Sequence, residues 1–192
     1  MSGTVLQSLD RGLLTLTMNR PERRNAINAE MSADLIEAVR RAAEDTAVRA
    51  VLLRGANGTF CVGGDVKSMA ENKSELTYET KRANLRKGME ISRLLHELPK
   101  PVVAQIDGAA AGAGLSIALS CDLRVAGASA KITTAFAKVG YSGDYGGTYF
   151  LTQMLGSAKA RELYLLSPVL TAQEALALGM VTRVVPDDQV AD

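Results

Sequence analysis

The chain has 192 residues, 47% of them hydrophobic and none of them tryptophan, and its 22 basic and 21 acidic side chains leave a formal charge of +1. That length is enough for a real core in one domain, residues 1–192, and the balanced charge without a basic stripe argues against a nucleic-acid partner. No apolar run approaches the roughly 20 residues that span a bilayer, no basic amphipathic segment suggests a membrane surface, and the first residues lack a signal-peptide core, so a cytoplasmic protein is expected.

Leu13-Leu-Thr-Leu-Thr-Met18 alternates as a half-buried strand does. Asn28 then stands as the cap of a helix whose apolar positions Met31, Leu35, Ile36 and Val39 recur at helical spacing. Val48-Arg-Ala-Val-Leu-Leu-Arg54 and Pro101-Val-Val-Ala-Gln-Ile106 are short apolar runs of the kind found in buried parallel strands. Each leads into a glycine-bearing loop, Phe60-Cys-Val-Gly-Gly-Asp65 and Gly108-Ala-Ala-Ala-Gly-Ala-Gly114, and each loop runs into a helical pattern. Between them, residues 70–95 open on the polar, turn-like Glu71-Asn-Lys-Ser-Glu75 before a mixed helical stretch; the segment reads as a lid over a pocket or as a solvated connector. The next strand is Asp122-Leu-Arg-Val-Ala126. This rhythm of β-β-α-β-α implies parallel strands with right-handed crossovers.

Glycine loops at the carboxyl ends of parallel strands sit where open α/β folds place ligands. Loops and helix starts of this kind leave unpaired N–H groups that favour an anion, either a phosphate or a developing oxyanion. A dinucleotide site requires G-x-G-x-x-G and an acidic residue about 20 positions later; after Gly112-Ala-Gly114 comes Ile117, and the following strand runs to Gly127. A P-loop fails as well, because no Gly-Lys-Ser/Thr follows either loop. Cys61 and Cys121 lack metal-ligand spacing and read as reduced, buried side chains. His96, the single histidine, falls near a helix C-terminus, which argues against a Ser-His-Asp triad.

Taken together, Asn19-Arg-Pro-Glu-Arg-Arg-Asn-Ala-Ile-Asn28, Phe60–Asp65, Leu98-Pro-Lys-Pro-Val-Val-Ala104, Gly108–Gly114 with Cys121-Asp122, Gly146-Gly-Thr148, and Thr171-Ala-Gln-Glu-Ala175 through Gly179-Met-Val181 occur in order. In this register, from about Leu13 to Pro186, the chain resembles the enoyl-CoA hydratase/isomerase (crotonase) family. The resemblance implies an α/β fold, the crotonase-like (ClpP/crotonase) spiral of repeated β-β-α units. It implies an acyl-CoA thioester as substrate, coenzyme A arriving as part of it, with no separate cofactor and no metal.

The family's oxyanion hole maps onto the backbone N–H groups of Gly64 and Ala113, with Gly112 beside the second. Its coenzyme A contacts map onto Arg23, Arg24 and Ala26 on the nucleotide side and onto Cys61, Gly63, Asp65 and Val66 opposite. The arginines read equally as a solvated turn, and Asp65 as a helix cap. The two glutamates of the family's hydratases fall at Ser116 and Phe136, neither of which can act as a carboxylate acid or base.

What the chain offers instead is Asp144, in a loop where some isomerases and aromatic acyl-CoA dehalogenases of the family place an aspartate. Phe136, Tyr141 and Tyr145 would wall it in, Phe136 and Tyr141 also contacting substrate, and desolvation would raise its pKa. Double-bond migration with Asp144 as acid and base is the leading expectation. Nucleophilic hydrolysis or dehalogenation, hydration without the glutamate pair, and acyl-CoA binding without catalysis stand beside it, as does an aspartate that merely caps a turn. Family members continue past Pro186 into helices that complete the pocket and build trimers or hexamers, so that C-terminal part is expected to be missing here and the same assembly is expected where it is present.

Overall fold

The computed structural model describes residues 3–65 and 76–191. Strand β1 (Val5–Asp10) turns back on β2 (Leu13–Met18) through Arg11 and Gly12, both at positive φ, the two-residue turn whose twist suits a hairpin. From β2 onward the sheet is parallel: β3 (Ala50–Gly55), β4 (Val102–Ile106), β6 (Leu123–Gly127) and β9 (Arg183–Val185) complete the order β1-β2-β3-β4-β6-β9. The apolar runs read as buried parallel strands are β3 and β4, each flanked on both sides by parallel neighbours.

A second, small sheet joins β5 (Ala109–Ala111), β7 (Lys131–Thr133) and β8 (Leu170–Thr171) in the order β5-β7-β8. It changes the reading of the second glycine loop, whose first half is a strand. Ala111 N–H donates to the Cys61 carbonyl and Cys61 N–H to the Ala109 carbonyl, both at 3.0 Å, so a run of small residues is held extended by ladder bonds that its composition does not announce.

Helix α1 (Ala29–Glu44) starts where expected, with the Asn28 side chain accepting from Met31 N–H at 2.9 Å, and it buries Met31, Leu35, Ile36 and Val39. Helix α2 (Tyr78–Glu97) leaves its first half exposed and buries Gly88, Ile91, Ser92 and Leu95 in its second. From Tyr78 on, therefore, the stretch expected as lid or connector is a helix that becomes part of the core, while Glu71–Glu75 lies outside the described residues. Helix α3 (Ala113–Ser120) is buried at every position. Helix α4 (Gly147–Leu166) bends at Gly156, whose φ of 76° and ψ of 161° break the helical run, and α5 (Ala172–Ala177) begins with a Thr171/Glu174 capping box. Leu16, Met18, Leu35, Leu53, Ile91, Ile106 and Leu119 are among the fully buried side chains, which places the core between the large sheet and α1, α2 and α3. Among the described residues no helix is long and apolar enough to cross a membrane.

Candidate active site

The first glycine loop lies extended between two neighbours. On one side Ile27 N–H donates to the Gly63 carbonyl at 2.8 Å and Asp65 N–H to the Ile27 carbonyl at 2.9 Å; on the other, Cys61 pairs with β5. Helix α3 starts hard against it. A Cβ on Gly114 would stand 2.3 Å from the Cys61 carbonyl oxygen, and one on Gly63 would stand 3.1 Å from the Ala111 carbonyl oxygen and 3.5 Å from the Ala113 nitrogen. Glycine is needed at both places, and at Gly112, which caps α3 at φ 53° and ψ −127°. Gly112 N–H is used by the Thr133 carbonyl. The N–H groups of Gly64 and Ala113 have no hydrogen-bond partner among the described residues, so two adjoining backbone donors are left for an anion or a polarised carbonyl.

Residues 20–26 pack beside this loop. Asn25, wholly buried, accepts from Arg20 N–H at 3.0 Å and donates to the carbonyls of Ala56 at 3.0 Å and Thr59 at 2.7 Å. Arg20 donates to the Ala26 carbonyl and forms a buried ion pair of 2.9 Å with Asp65. The Asp65 carboxylate is thus engaged inside the protein. Neither Asn25 nor Arg20 stands out in the sequence; the one available signal is an asparagine closing a Pro-initiated turn at positive φ. Ala26 is buried, whereas Arg23 and Arg24 face solvent and make no ion pair among the described residues. Val66 lies outside the described residues. Cys61 is buried, and burial pushes its thiol up to about 12, which disfavours the nucleophilic thiolate. His96 is exposed on α2, its ring edge-on to Phe150 at 5.2 Å.

After β7 the chain passes through a short 3-10 turn, Phe136–Val139, to a loop with Gly143, Tyr145 and Gly146 all at positive φ. Asp144 sits in that loop. Its carbonyl accepts from Gly147 N–H at 3.1 Å, but its carboxyl caps nothing: Oδ1 is buried without a partner. Burial raises the carboxyl from 3.8 to about 6. The phenol of Tyr145 reaches between α1 and α2, where a Cβ on Gly88 would meet its oxygen at 2.5 Å and Ser32 Oγ at 3.4 Å.

Phe136 is buried and lies 3.9 Å, by its Cε1, from where a Gly112 Cβ would be. It therefore reaches the start of α3. Tyr141 stands 51% exposed, and the aromatic that stacks on Phe136 is Tyr164 of α4, with ring centres 5.7 Å apart and planes 5° from parallel. Ser116 turns its hydroxyl to the Gly112 carbonyl at 3.3 Å. Tyr164 is not legible as a site residue in the sequence because it lies 20 positions beyond Asp144 among leucines, with no pattern to show which way it faces.

A twisted parallel sheet, a small second sheet and a buried helix starting at paired glycine segments make up a crotonase-like α/β enzyme fold. The solved enoyl-CoA hydratase from Polaromonas sp. JS666 superposes with a TM-score of 0.92 at 33% identity, over 98% of this chain and 73% of that one. The chain belongs to the enoyl-CoA hydratase/isomerase family, whose description matches residues 8–192. Among curated relatives, the 1,2-epoxyphenylacetyl-CoA isomerase of Escherichia coli strain K12 is 39% identical over 98% of this chain and 72% of its own length. The trans-2-decenoyl-[acyl-carrier-protein] isomerase of Streptococcus mutans is 35% identical over 94% of this chain and 68% of its own.

Proposed function

We propose that the protein moves a double bond in an enoyl-CoA, with the N–H groups of Gly64 and Ala113 polarising the thioester carbonyl and Asp144 carrying the proton. The observation that carries this reading is the Asp144 carboxyl, half-buried, without a partner on Oδ1 and raised to about 6, in a protein that also leaves two backbone donors unused at the glycine loops. An acid of that strength is ionised enough near neutral pH to take a proton from one carbon and weak enough as a base to return it to another. Removal of the proton places negative charge on the thioester oxygen, which the two donors stabilise; loss of one such donor typically costs about 10²- to 10³-fold in rate. The solvent-facing Arg23 and Arg24, with Ala26 behind them, give the phosphates and adenine of coenzyme A a place to lie.

Support also comes from what the hydratase positions contain. Ser116 gives its hydroxyl to a backbone carbonyl and Phe136 is stacked, so neither supplies a carboxylate to activate water. The names of the curated relatives fall on both sides, isomerase for the two given above and probable enoyl-CoA hydratase for one from Rhodobacter capsulatus at 36% identity. The test is ultraviolet monitoring of 3-enoyl-CoA and 2-enoyl-CoA with the wild type and Asp144→Asn. Migration should fall by about 10²- to 10⁴-fold in the variant. Absence of migration in the wild type, or an Asn variant as active as the wild type, rejects the reading, and rapid water addition to crotonyl-CoA without Asp144 makes the protein a hydratase.

A further inference from the structure

Tyr164 touches the Asp144 loop at both ends. A Cβ on Gly143 would stand 2.5 Å from its Cε1, and one on Gly147 would stand 2.3 Å from its hydroxyl and 2.3 Å from Ser116 Oγ. The ring therefore packs against the loop through its Cε1 edge at Gly143 and its hydroxyl at Gly147, on either side of Asp144, with the Ser116 hydroxyl beside it at Gly147. One face of the ring is covered, because Phe136 stacks on it and in turn abuts Gly112 at the start of α3. One aromatic pair thus connects the loop that holds the carboxyl to the helix that holds an unused donor.

The geometry points to Tyr164 as the positioning residue of Asp144: its ring is the platform that fixes the loop and keeps water from the buried Oδ1. This rests on the reading of Asp144 as the proton carrier, but it assigns a residue which that reading does not need. The titratable groups that feel the Asp144 charge are Tyr145, next to it, and Tyr164; Cys61, on the first glycine loop, acts on Tyr145. Burial pushes all three up to about 12, so Asp144 is the member of the group that changes charge near neutral pH. Oδ1 is buried without a hydrogen-bond donor, so on this assignment the bulk of the ring matters more than the phenol oxygen.

The experiment is the pH dependence of kcat/KM for double-bond migration in the wild type, Tyr164→Phe and Tyr164→Ala, with circular dichroism as the check on folding. The wild type should lose activity on the acid side near pH 6. Tyr164→Phe, which keeps the ring, should hold that limb within a few tenths of a pH unit. Tyr164→Ala lets water reach the carboxyl, and the limb should fall by about one pH unit toward the ordinary carboxylate range. A folded Ala variant with an unmoved limb overturns the assignment, as does a Phe variant that moves it as far as Ala. Should Ala not fold, Tyr164→Leu is read instead, with a smaller fall in the same direction expected and no fall overturning the idea. A measurement that needs no turnover runs alongside: any stability gained by Asp144→Asn at pH 8 should shrink in a Tyr164→Ala or Tyr164→Leu background, and an unchanged gain counts against the platform. Failure of the isomerase reading looks different, since Asp144→Asn would then match the wild type in activity whatever residue 164 is.

Discussion

Asp144→Asn separates the cost of a buried charge from everything else in its loop. Burial moves the carboxyl from 3.8 to about 6, and a pKa displaced by one pH unit corresponds to about 1.36 kcal/mol between the charged and neutral forms. Displacement by roughly two pH units sets a ceiling of about 3 kcal/mol, and because the residue keeps one side toward solvent the expected figure is about 1–2 kcal/mol. The direction follows from proton binding. Between about pH 4 and pH 6 the unfolded chain has released a proton that the folded chain still holds, so the unfolded state binds fewer protons and stability falls as pH rises. Above pH 6 the full cost is present. Asparagine has nearly the same shape and no charge at any pH. In urea denaturation at pH 8 the Asn variant should be more stable than the wild type by about 1–2 kcal/mol, and below about pH 4 the two should agree within a few tenths. Equal or lower stability of the variant at pH 8 would refute the reasoning, because the carboxylate would then be paired or well solvated in the fold.

Gly114→Ala puts a Cβ 2.3 Å from the Cys61 carbonyl oxygen, a backbone atom held in the β5 ladder. The loss should be about 3 kcal/mol or more in urea despite alanine's better helix propensity, and a loss under about 1 kcal/mol would contradict the close approach of α3 to the loop. Asn25→Ala removes one acceptor and two donated bonds from a wholly buried position, and should cost about 2–4 kcal/mol; a neutral result would mean that the turn does not depend on it. Burial pushes the thiols of Cys61 and Cys121 up to about 12, so at pH 8 neither should react with a disulfide reagent in the folded protein and both should react in denaturant. Rapid labelling of either native thiol would count against the burial.

The parts of this fold that are legible in sequence are those where one residue's chemistry decides the local answer. β3 and β4 announce themselves because a parallel strand with neighbours on both sides is apolar on both faces, and Asn28 does so because a cap is a local hydrogen bond. β5 does not, because Ala109–Ala111 carries no β-branched or aromatic side chain and is a strand only through bonds to Cys61 and β7. The same limit explains the site. Asp144 is visible as a carboxylate among aromatic residues, yet which aromatics enclose it depends on how α4 rolls against the loop. Tyr141 lies close to Asp144 in sequence and points out, while Tyr164 lies far away and packs beneath it. Nor does hydrophobicity decide the roll: Leu165 and Leu166, next to Tyr164, are 75% and 70% exposed.

The uncompensated groups of this site become intelligible as a set. Among the described residues two backbone N–H groups have no acceptor and Asp144 Oδ1 has no donor, and the buried oxygen costs stability. On the proposed reaction they are used together. When Asp144 takes the proton, its buried negative charge disappears and an equal charge develops on the thioester oxygen, which faces the N–H groups of Gly64 and Ala113. Charge therefore moves from the place where burial penalises it to the place where two fixed dipoles stabilise it, with no net change in the charge that the site holds. Return of the proton to a different carbon reverses the movement. A carboxyl with its ordinary pKa, well solvated, would be too weak a base for the first half of that cycle, and donors already paired with carbonyls would leave the thioester oxygen unsupported. The cost of burying the unpaired carboxyl oxygen and the capacity of Asp144 to shuttle one proton thus have the same physical origin.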